Sequence, residues 1–174
     1  LDQGADVNEW KYGTALMVAA EKGDLEVVRI LIERGADLDM RAQAGYTALG
    51  QAALSGHGEL VDLLIAKGAD IDVAVKGLSS WADFVAGPPY PDAAAAAKIR
   101  RAIPVIQSRA GMAYFNAGLY EKAITLYRVK AEANPNDQDN VLILAACYNR
   151  MGRAAEAREA AEKAVRLAPD NGAA

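Results

Sequence analysis

Residues 35–72 read GADLDMRAQAGYTALGQAALSGHGELVDLLIAKGADID, and this stretch begins and ends with the same tripeptide, Gly-Ala-Asp, at Gly35 and at Gly68. Thr47 precedes an apolar run inside the stretch, and Thr14 precedes a similar run earlier in the chain. Two copies in one register indicate an internal repeat. The apolar residues of each copy are spaced as on one face of a helix: Leu16, Val27, Val28, Leu31 and Ile32 in the first, and Leu49, Leu60, Val61, Leu64 and Ile65 in the second. Because no single helix pair can bury such stripes, the pairs are predicted to stack.

The spacing from Thr14 to Thr47, with Thr-Ala-Leu before the first helix and glycine between the helices, resembles the ankyrin repeat, whose period is about 33 residues. The resemblance implies two short antiparallel helices followed by a hairpin-like loop, and it covers residues 1–87. Thr14 and Thr47 are expected to cap the first helix of each pair. Both copies depart from the family's Thr-Pro-Leu-His, since Met17 and Gly50 stand where the histidine belongs. We therefore expect these repeats to be less stable than consensus ones.

The ankyrin-like region is predicted to contain a partial repeat, two full repeats and a closing half-repeat. Residues 1–6, LDQGAD, look like the tail of an earlier repeat, and we expect the chain to be a fragment of something longer. In the closing half-repeat, a helix cap is expected at Ser79 or Ser80. Trp81 and Phe84 are expected to cover the end of the stack.

A joint is predicted at residues 88–103. Three prolines between Pro88 and Pro91 exclude a helix there, because proline removes a backbone donor and forces its neighbours into extended geometry. Asp92 is expected to cap an alanine-rich helix that ends near Ala102. Pro104 then begins the next pattern.

A second period follows the joint. It relates four equally spaced pairs of residues, Tyr114 and Tyr148, Gly118 and Gly152, Ala123 and Ala157, and Pro135 and Pro169. This pattern resembles the tetratricopeptide repeat, whose period is about 34 residues, and it implies two such repeats over residues 104–174. The whole chain is therefore predicted to be all-α, a solenoid of ankyrin-like helix pairs followed by tetratricopeptide-like helix pairs.

No catalytic, cofactor or metal site is predicted. His57 stands at the turn between two helices, where ankyrin repeats commonly carry a histidine for local hydrogen bonding. Cys147 is expected to be a small buried thiol, because its half of the chain has no histidine to activate it. The carboxylates of residues 37–39 and 70–72 lack the glycine and the terminal glutamate of a calcium-binding loop.

The charge is unevenly distributed. Residues 1–87 carry 7 Lys+Arg and 14 Asp+Glu, a net charge of −7, and residues 88–174 carry 12 and 9, a net charge of +3. Basic residues cluster near the joint, namely Lys98, Arg100, Arg101 and Arg109. Because the pI is near 5.1 and acids are interspersed, we interpret the cluster as a solvated helix face and predict no nucleic-acid partner. The sequence has no run of 18 apolar residues, so no membrane partner is predicted, and a cytoplasmic location is favoured.

The two resemblances imply a non-enzymatic scaffold that binds a protein or peptide through the concave faces of its repeats. On the ankyrin-like part, the hairpin tips and the start of the groove map to Glu21, Lys22, Gln43, Ala44, Tyr46, Leu54 and Ser55. On the tetratricopeptide-like part, the concave faces map to Val105, Ser108, Met112, Phe115, Asn116, Asp139, Leu142, Ala146, Asn149 and Arg150. The acidic first half favours a partner with a basic segment. The oligomeric state is left open.

Two alternatives stay open. The repeats could be the targeting or regulatory part of a larger enzyme or effector. Tyr46 and Phe115 could serve in packing between repeats and not as anchors for a partner. Docking of a chaperone's C-terminal carboxylate is disfavoured, since Ser108 and Met112 stand where that grip needs lysine and asparagine.

Overall fold

A computed structural model of the chain describes residues 6–9, 13–89 and 91–167. Every regular element in these ranges is a helix, which confirms the all-α repeat fold. The helices are α1 (Ala15–Lys22), α2 (Leu25–Glu33), α3 (Ala48–Leu54), α4 (Gly58–Ala66), α5 (Ile71–Ala86), α6 (Ala93–Asn116), α7 (Tyr120–Ala133), α8 (Gln138–Arg150) and α9 (Ala154–Leu167). None of these helices is both long and apolar enough to cross a bilayer.

The chain divides into two compact units, residues 1–110 and residues 111–174. The division falls inside α6, so the first part of this helix belongs to the first unit. The sequence places domain limits at residues 87 and 103. These limits stay a prediction about where the domains begin and end.

The first helix of each pair in the first unit is capped as expected. The hydroxyl oxygen of Thr14 accepts a hydrogen bond from the backbone N–H of Met17, and that of Thr47 accepts one from Gly50, each at 3.3 Å. Both threonines are buried, so each cap also satisfies a hydroxyl that water cannot reach. The two threonines, at equivalent positions of the repeat, therefore mark where α1 and α3 begin.

Side chains in the hairpin loops link each repeat to the next. The backbone N–H of Asp37 donates to the side-chain oxygen of Asn8, and the N–H of Asp70 donates to a carboxylate oxygen of Asp39, both at 2.8 Å. Asn8 lies four residues after Gly4, and Asp39 lies four residues after Gly35, so the two side chains occupy equivalent positions of the repeat. This recurring bond holds neighbouring loops in register.

The third Gly-Ala-Asp starts a helix, whereas the second, at Gly35, is followed by a loop. The carboxylate of Asp70 accepts from the N–H of Val73 at 3.1 Å and caps the 16-residue helix α5. The expected cap at Ser79 or Ser80 is therefore wrong, because both serines lie inside α5. The tripeptide alone could not distinguish the two outcomes, since an aspartate can cap either a turn or a helix.

The apolar stripes form the core of the first unit, with one exception. Buried residues include Leu16, Val28 and Leu31 from the first pair and Leu49, Leu60, Val61, Leu64 and Ile65 from the second. Ile32 is half-buried. Val27 was expected in the buried stripe, but its side chain is 40% exposed, because it lies on the side of α2 that no described element covers.

α5 packs against α3 and against the loop that precedes α3. The rings of Trp81 and Tyr46 are 4.8 Å apart between centroids. A Cβ atom at Gly77 would overlap the carbonyl oxygen of Gly45, so a side chain there would prevent this close approach. Phe84, expected to cover the stack, is 78% exposed, since it lies on the face of α5 that points to solvent.

α6 is longer than the sequence pattern predicts. The carboxylate of Asp92 accepts from the N–H of Ala95 at 2.8 Å, which confirms the expected cap. The helix does not end near Ala102, however, and Pro104 lies inside it. Buried residues lie both before the proline, at Ile99 and Ala102, and after it, at Ile106 and Ala110. This burial offsets the backbone hydrogen bond that the proline cannot make.

The second unit contains the end of α6 with α7, α8 and α9. Tyr127 of α7 is buried against Gly111, where an added Cβ atom would lie 2.6 Å from the ring. A side chain at position 111 would therefore force the Tyr127 ring to move. The carboxylate of Asp137 caps α8 by accepting from the N–H of Asn140 at 3.3 Å. Cys147 is buried, as expected.

Candidate functional site

The contact residues expected on the first unit lie mostly at exposed helix ends and in a loop. Glu21 and Lys22 end α1, and Ser55 follows α3 at the corresponding place in the next repeat. Gln43 and Ala44 lie in the loop before α3. All five are exposed, so these residues, which we call the ankyrin edge, are accessible to a partner.

Tyr46 and Leu54 differ from the other expected residues of this set because both are half-buried. The ring of Tyr46 stacks at 37° on the ring of Trp81, on α5. Packing against Trp81 therefore uses much of the tyrosine surface that an anchor for a partner would need.

The second set of expected contact residues lies on α6 and α8. Ser108 and Met112 are exposed on α6, and Met112 retains 44% of its surface. Phe115 is half-buried and meets Tyr120 edge-on, with ring centroids 5.6 Å apart. The remaining expected residues are exposed or half-buried, namely Val105 and Asn116 on α6, and Asp139, Leu142, Ala146, Asn149 and Arg150 on α8. Val105 and Ser108 belong to the first unit and the other eight residues to the second, and only Phe115 and Ala146 of the ten are half-buried.

His57 makes a hydrogen bond between repeats. Its Nε2 atom lies 3.0 Å from the backbone carbonyl oxygen of Glu21. Because a carbonyl oxygen can only accept, Nε2 carries the proton and donates. The ring also lies against Gly23, where an added Cβ atom would be 2.6 Å away. The histidine therefore holds the end of α1 against the start of α4.

Two family models match the chain. The model for ankyrin repeats, in three copies, matches residues 1–74, and the model for the tetratricopeptide repeat matches residues 141–171. The chain contains ankyrin repeats in its first part and a tetratricopeptide repeat in its last part. No curated protein matches it. Both kinds of repeat are generally modules of protein–protein interaction and are typically non-catalytic. We call residues 1–110 the ankyrin unit and residues 111–174 the tetratricopeptide unit.

The basic cluster on α6 is partly neutralised in the ankyrin unit. The guanidinium group of Arg109 donates two hydrogen bonds to Asp62, at 2.8 and 2.6 Å, and this pairing raises the pKa of Arg109. Arg100 pairs with Asp83 at 2.8 Å. Both arginines keep part of their side-chain surface exposed, 52% for Arg100 and 39% for Arg109, so this helix face is solvated and is also paired with acids of the ankyrin unit.

These pairs change the charge that a partner would meet. Because the first part of α6 belongs to the ankyrin unit, residues 1–110 carry 11 Lys+Arg and 15 Asp+Glu, a net charge of −4. Residues 111–174 carry 8 of each and have no net charge. The ankyrin unit is the acidic one, but less so than residues 1–87 alone.

A groove between α7, α8 and α9 was not anticipated from the sequence. Its volume is about 530 Å³, and Leu144 and Tyr148 of α8 contribute to its lining. Arg153 also lines the groove, and its guanidinium lies 4.8 Å from the centroid of the Tyr148 ring and 2.7 Å from a carboxylate oxygen of Glu156. Three separate helices supply the lining, so no single stretch of sequence carries a signal for it.

Side chains that could do chemistry serve the fold. Burial raises the pKa of the Cys147 thiol, which keeps the sulfur neutral and a poor nucleophile. The carboxylate oxygens of Asp37 and Asp39 accept backbone hydrogen bonds at 2.9 and 2.8 Å. Among the described residues, no group of three or more His, Cys, Asp or Glu side chains could hold a metal ion.

Proposed function

We propose that the protein is a non-catalytic scaffold that binds a polypeptide partner, through the inner faces of α6 and α8 in the tetratricopeptide unit and through the ankyrin edge in the ankyrin unit. The observation that carries the proposal is the exposure of two large, flexible apolar side chains on the expected faces. Met112 and Leu142 expose 44% and 45% of their surface. Such side chains, surrounded by polar residues, supply much of the energy of protein contacts.

The ankyrin edge supports the proposal in a different way. The side chains of Glu21, Lys22, Gln43 and Ala44 make no hydrogen bond or ion pair with other described residues. A partner can therefore contact them without unfolding anything. The net charge of −4 on the ankyrin unit favours a partner with a basic segment.

A nucleic-acid partner is disfavoured by the same charges. Arg100 and Arg109 are engaged by carboxylates, so a phosphate backbone would have to displace Asp83 and Asp62 from them. The acidic surface of the ankyrin unit would also repel phosphate.

To test the proposal, peptides are selected from a random displayed library on the immobilised full chain. The Kd of each selected peptide is then measured for the wild type and for its variants. Combined Met112→Ala and Leu142→Ala substitution should raise Kd by about tenfold or more for peptides bound at the inner faces. The matched control is Val129→Ala on α7, because Val129 is also exposed, at 60%, but lies on none of the expected faces. A Gln43→Arg and Ser55→Arg double variant tests the ankyrin edge in the same way.

The proposal fails if the selected peptides bind all these variants as tightly as the wild type. For peptides that depend on the ankyrin edge, raising the salt concentration should slow association more than it speeds dissociation. A peptide set without basic residues, bound equally well at low and high salt, would contradict the preference for a basic partner.

A further inference from the structure

The groove between α7, α8 and α9 lies on the side of α8 opposite to the residues that are expected to contact a partner. Val141 and Leu144 of α8 line this groove and are buried, whereas Leu142 is exposed. Leu144 follows Leu142 by two positions, which corresponds to about 200° around a helix of 3.6 residues per turn. A partner in this groove, which we call the outer groove, would therefore leave the inner face of α8 free.

The outer groove offers accessible apolar surface. α7 and α9 form its walls, because each of them packs against α8, and its volume is about 530 Å³. Pro135 is exposed, and Tyr148 and Ala160 are half-buried. Apolar side chains of a partner can therefore contact the inside of the groove without any change in the fold.

The walls of the outer groove also carry unpaired charges. Four charged residues on the walls are exposed and make no hydrogen bond or ion pair with other described residues. They are Arg128 and Glu132 on α7, and Glu159 and Lys163 on α9. These four side chains are therefore available to pair with charges of a partner.

The two unpaired bases lie at the middle of this set of charges. α7 and α9 begin 34 residues apart and end 34 residues apart, so residues with this spacing lie at the same level of the two helices. Arg128 and Lys163 are one position from this spacing and lie on opposite walls. By the same count, Glu159 lies about one turn before the two bases and Glu132 about one turn after them, which is about 5 Å along the helix axis in each direction.

We propose that the outer groove binds an amphipathic helix of a partner protein, and that this helix carries one acidic side chain between two basic ones, each one turn apart, beside its apolar face. The acidic side chain lies between Arg128 and Lys163, and the basic side chains pair with Glu159 and Glu132. This surface is distinct from the inner faces and from the ankyrin edge, and the proposal does not depend on them.

The spacing of the charges and the size of the groove favour a helix over an extended chain. Side chains on one face of a helix recur about every 5.4 Å, whereas those on one face of an extended chain recur about every 6.6–6.8 Å. A two-turn helix that is 10–12 Å wide occupies roughly 850–1,200 Å³. The outer groove, with about 530 Å³, therefore accommodates about half of such a helix, which is its apolar side.

The first experiment selects helical peptides on the immobilised full chain. The library contains peptides of about 20 residues, long enough to form a helix, with leucine fixed along one helix face and the flanking positions random. Ala160→Arg should raise the Kd of peptides in the outer groove by about tenfold or more, because the arginine side chain fills the groove. Ala161→Arg is the matched control, since Ala161 is exposed on the same helix and lies outside the groove lining. The two variants should have the same Tm.

A charge exchange then tests the chemistry of the bound helix. Peptides that depend on Ala160 should carry an acidic residue between two basic ones. Arg128→Glu with Lys163→Glu should raise their Kd by about tenfold, and lysine in place of the central acid of the peptide should restore the affinity for this variant. Leu142→Ala, on the inner face of α8, should leave the Kd of these peptides unchanged.

Three outcomes would overturn the proposal. The first is a selection in which every peptide binds Ala160→Arg as tightly as Ala161→Arg. The second is a set of groove-dependent peptides that bind the Arg128→Glu and Lys163→Glu variant as tightly as the wild type. The third is a concentration-dependent dimer of the full chain that Ala160→Arg dissociates in analytical ultracentrifugation, because the outer groove would then bind a second copy.

Discussion

The imidazole of His57 donates a hydrogen bond from Nε2 to the backbone carbonyl oxygen of Glu21, 36 residues earlier and 3.0 Å away. The bond joins the start of α4 to the end of α1 in the preceding repeat. Glu21 belongs to the ankyrin edge, so the histidine also fixes the backbone beneath one of the expected contact residues. His57 thus acts between repeats, where the sequence pattern predicted a local bond.

Replacing His57 by alanine should lower the free energy of unfolding by about 0.5–1.5 kcal/mol, the usual net value of one intramolecular hydrogen bond. The measurement is urea denaturation of both proteins. Glu21→Ala is the control, because it removes a side chain but keeps the carbonyl acceptor. Equal losses in the two variants would show that the bond contributes nothing specific.

Gly68→Val should be among the more damaging single changes, lowering the free energy of unfolding by more than about 1 kcal/mol. Gly68 has φ of +101°, and an added Cβ atom there would meet no atom within 4 Å, so the cost is backbone strain and not a clash. Gly68→Asn should cost less, since asparagine tolerates positive φ better than a β-branched residue. Glu59→Gln, an exposed change, should be nearly silent. A Tm of Gly68→Val equal to that of Glu59→Gln would show that the repeat register is wrong.

The sequence predicted the features that depend on local chemistry. The ankyrin period located the caps Thr14 and Thr47, and Asp92 was recognised as a helix cap. Each is a short side chain bonded to a backbone amide in the first turn of its helix, so a few neighbouring residues determine it.

The sequence could not predict features that depend on partners far along the chain. Pro104 would end an isolated helix, but burial of Ile106 and Ala110 beyond it keeps α6 continuous. The ion pair of Arg109 with Asp62 could not be predicted, because the two residues are 47 positions apart in sequence. Exposure of Phe84 likewise depends on which face of α5 turns towards α3, which periodicity did not resolve.

An ion pair in the tetratricopeptide unit should make stability depend on pH. The hydrogen bond from Arg153 lowers the pKa of Glu156. A carboxylate with a lowered folded-state pKa stabilises the fold above its unfolded pKa, about 4.3, and this contribution is lost as pH falls through the folded pKa. Carbon-13 NMR titration should therefore find the pKa of Glu156 higher in Arg153→Gln. The Tm difference between wild type and Arg153→Gln should shrink from pH 7 to pH 3. A difference that stays constant over this range would assign the effect of Arg153 to its contact with Tyr148.

Tyr46→Ala should lower Tm, because it removes a ring that stacks on Trp81 of α5 at 4.8 Å. Such a pair contributes about 0.5–1.5 kcal/mol beyond the area it buries. Phe115→Ala removes a ring that meets Tyr120 edge-on at a longer distance, 5.6 Å, and should cost less stability. Stability and the Kd for a selected peptide should be measured on both variants. If Tyr46 serves in packing, the folded fraction of Tyr46→Ala will bind with unchanged Kd. A Tyr46→Ala variant with unchanged Tm and a Kd raised about tenfold would instead make Tyr46 an anchor and show that its stacking on Trp81 contributes little to the fold.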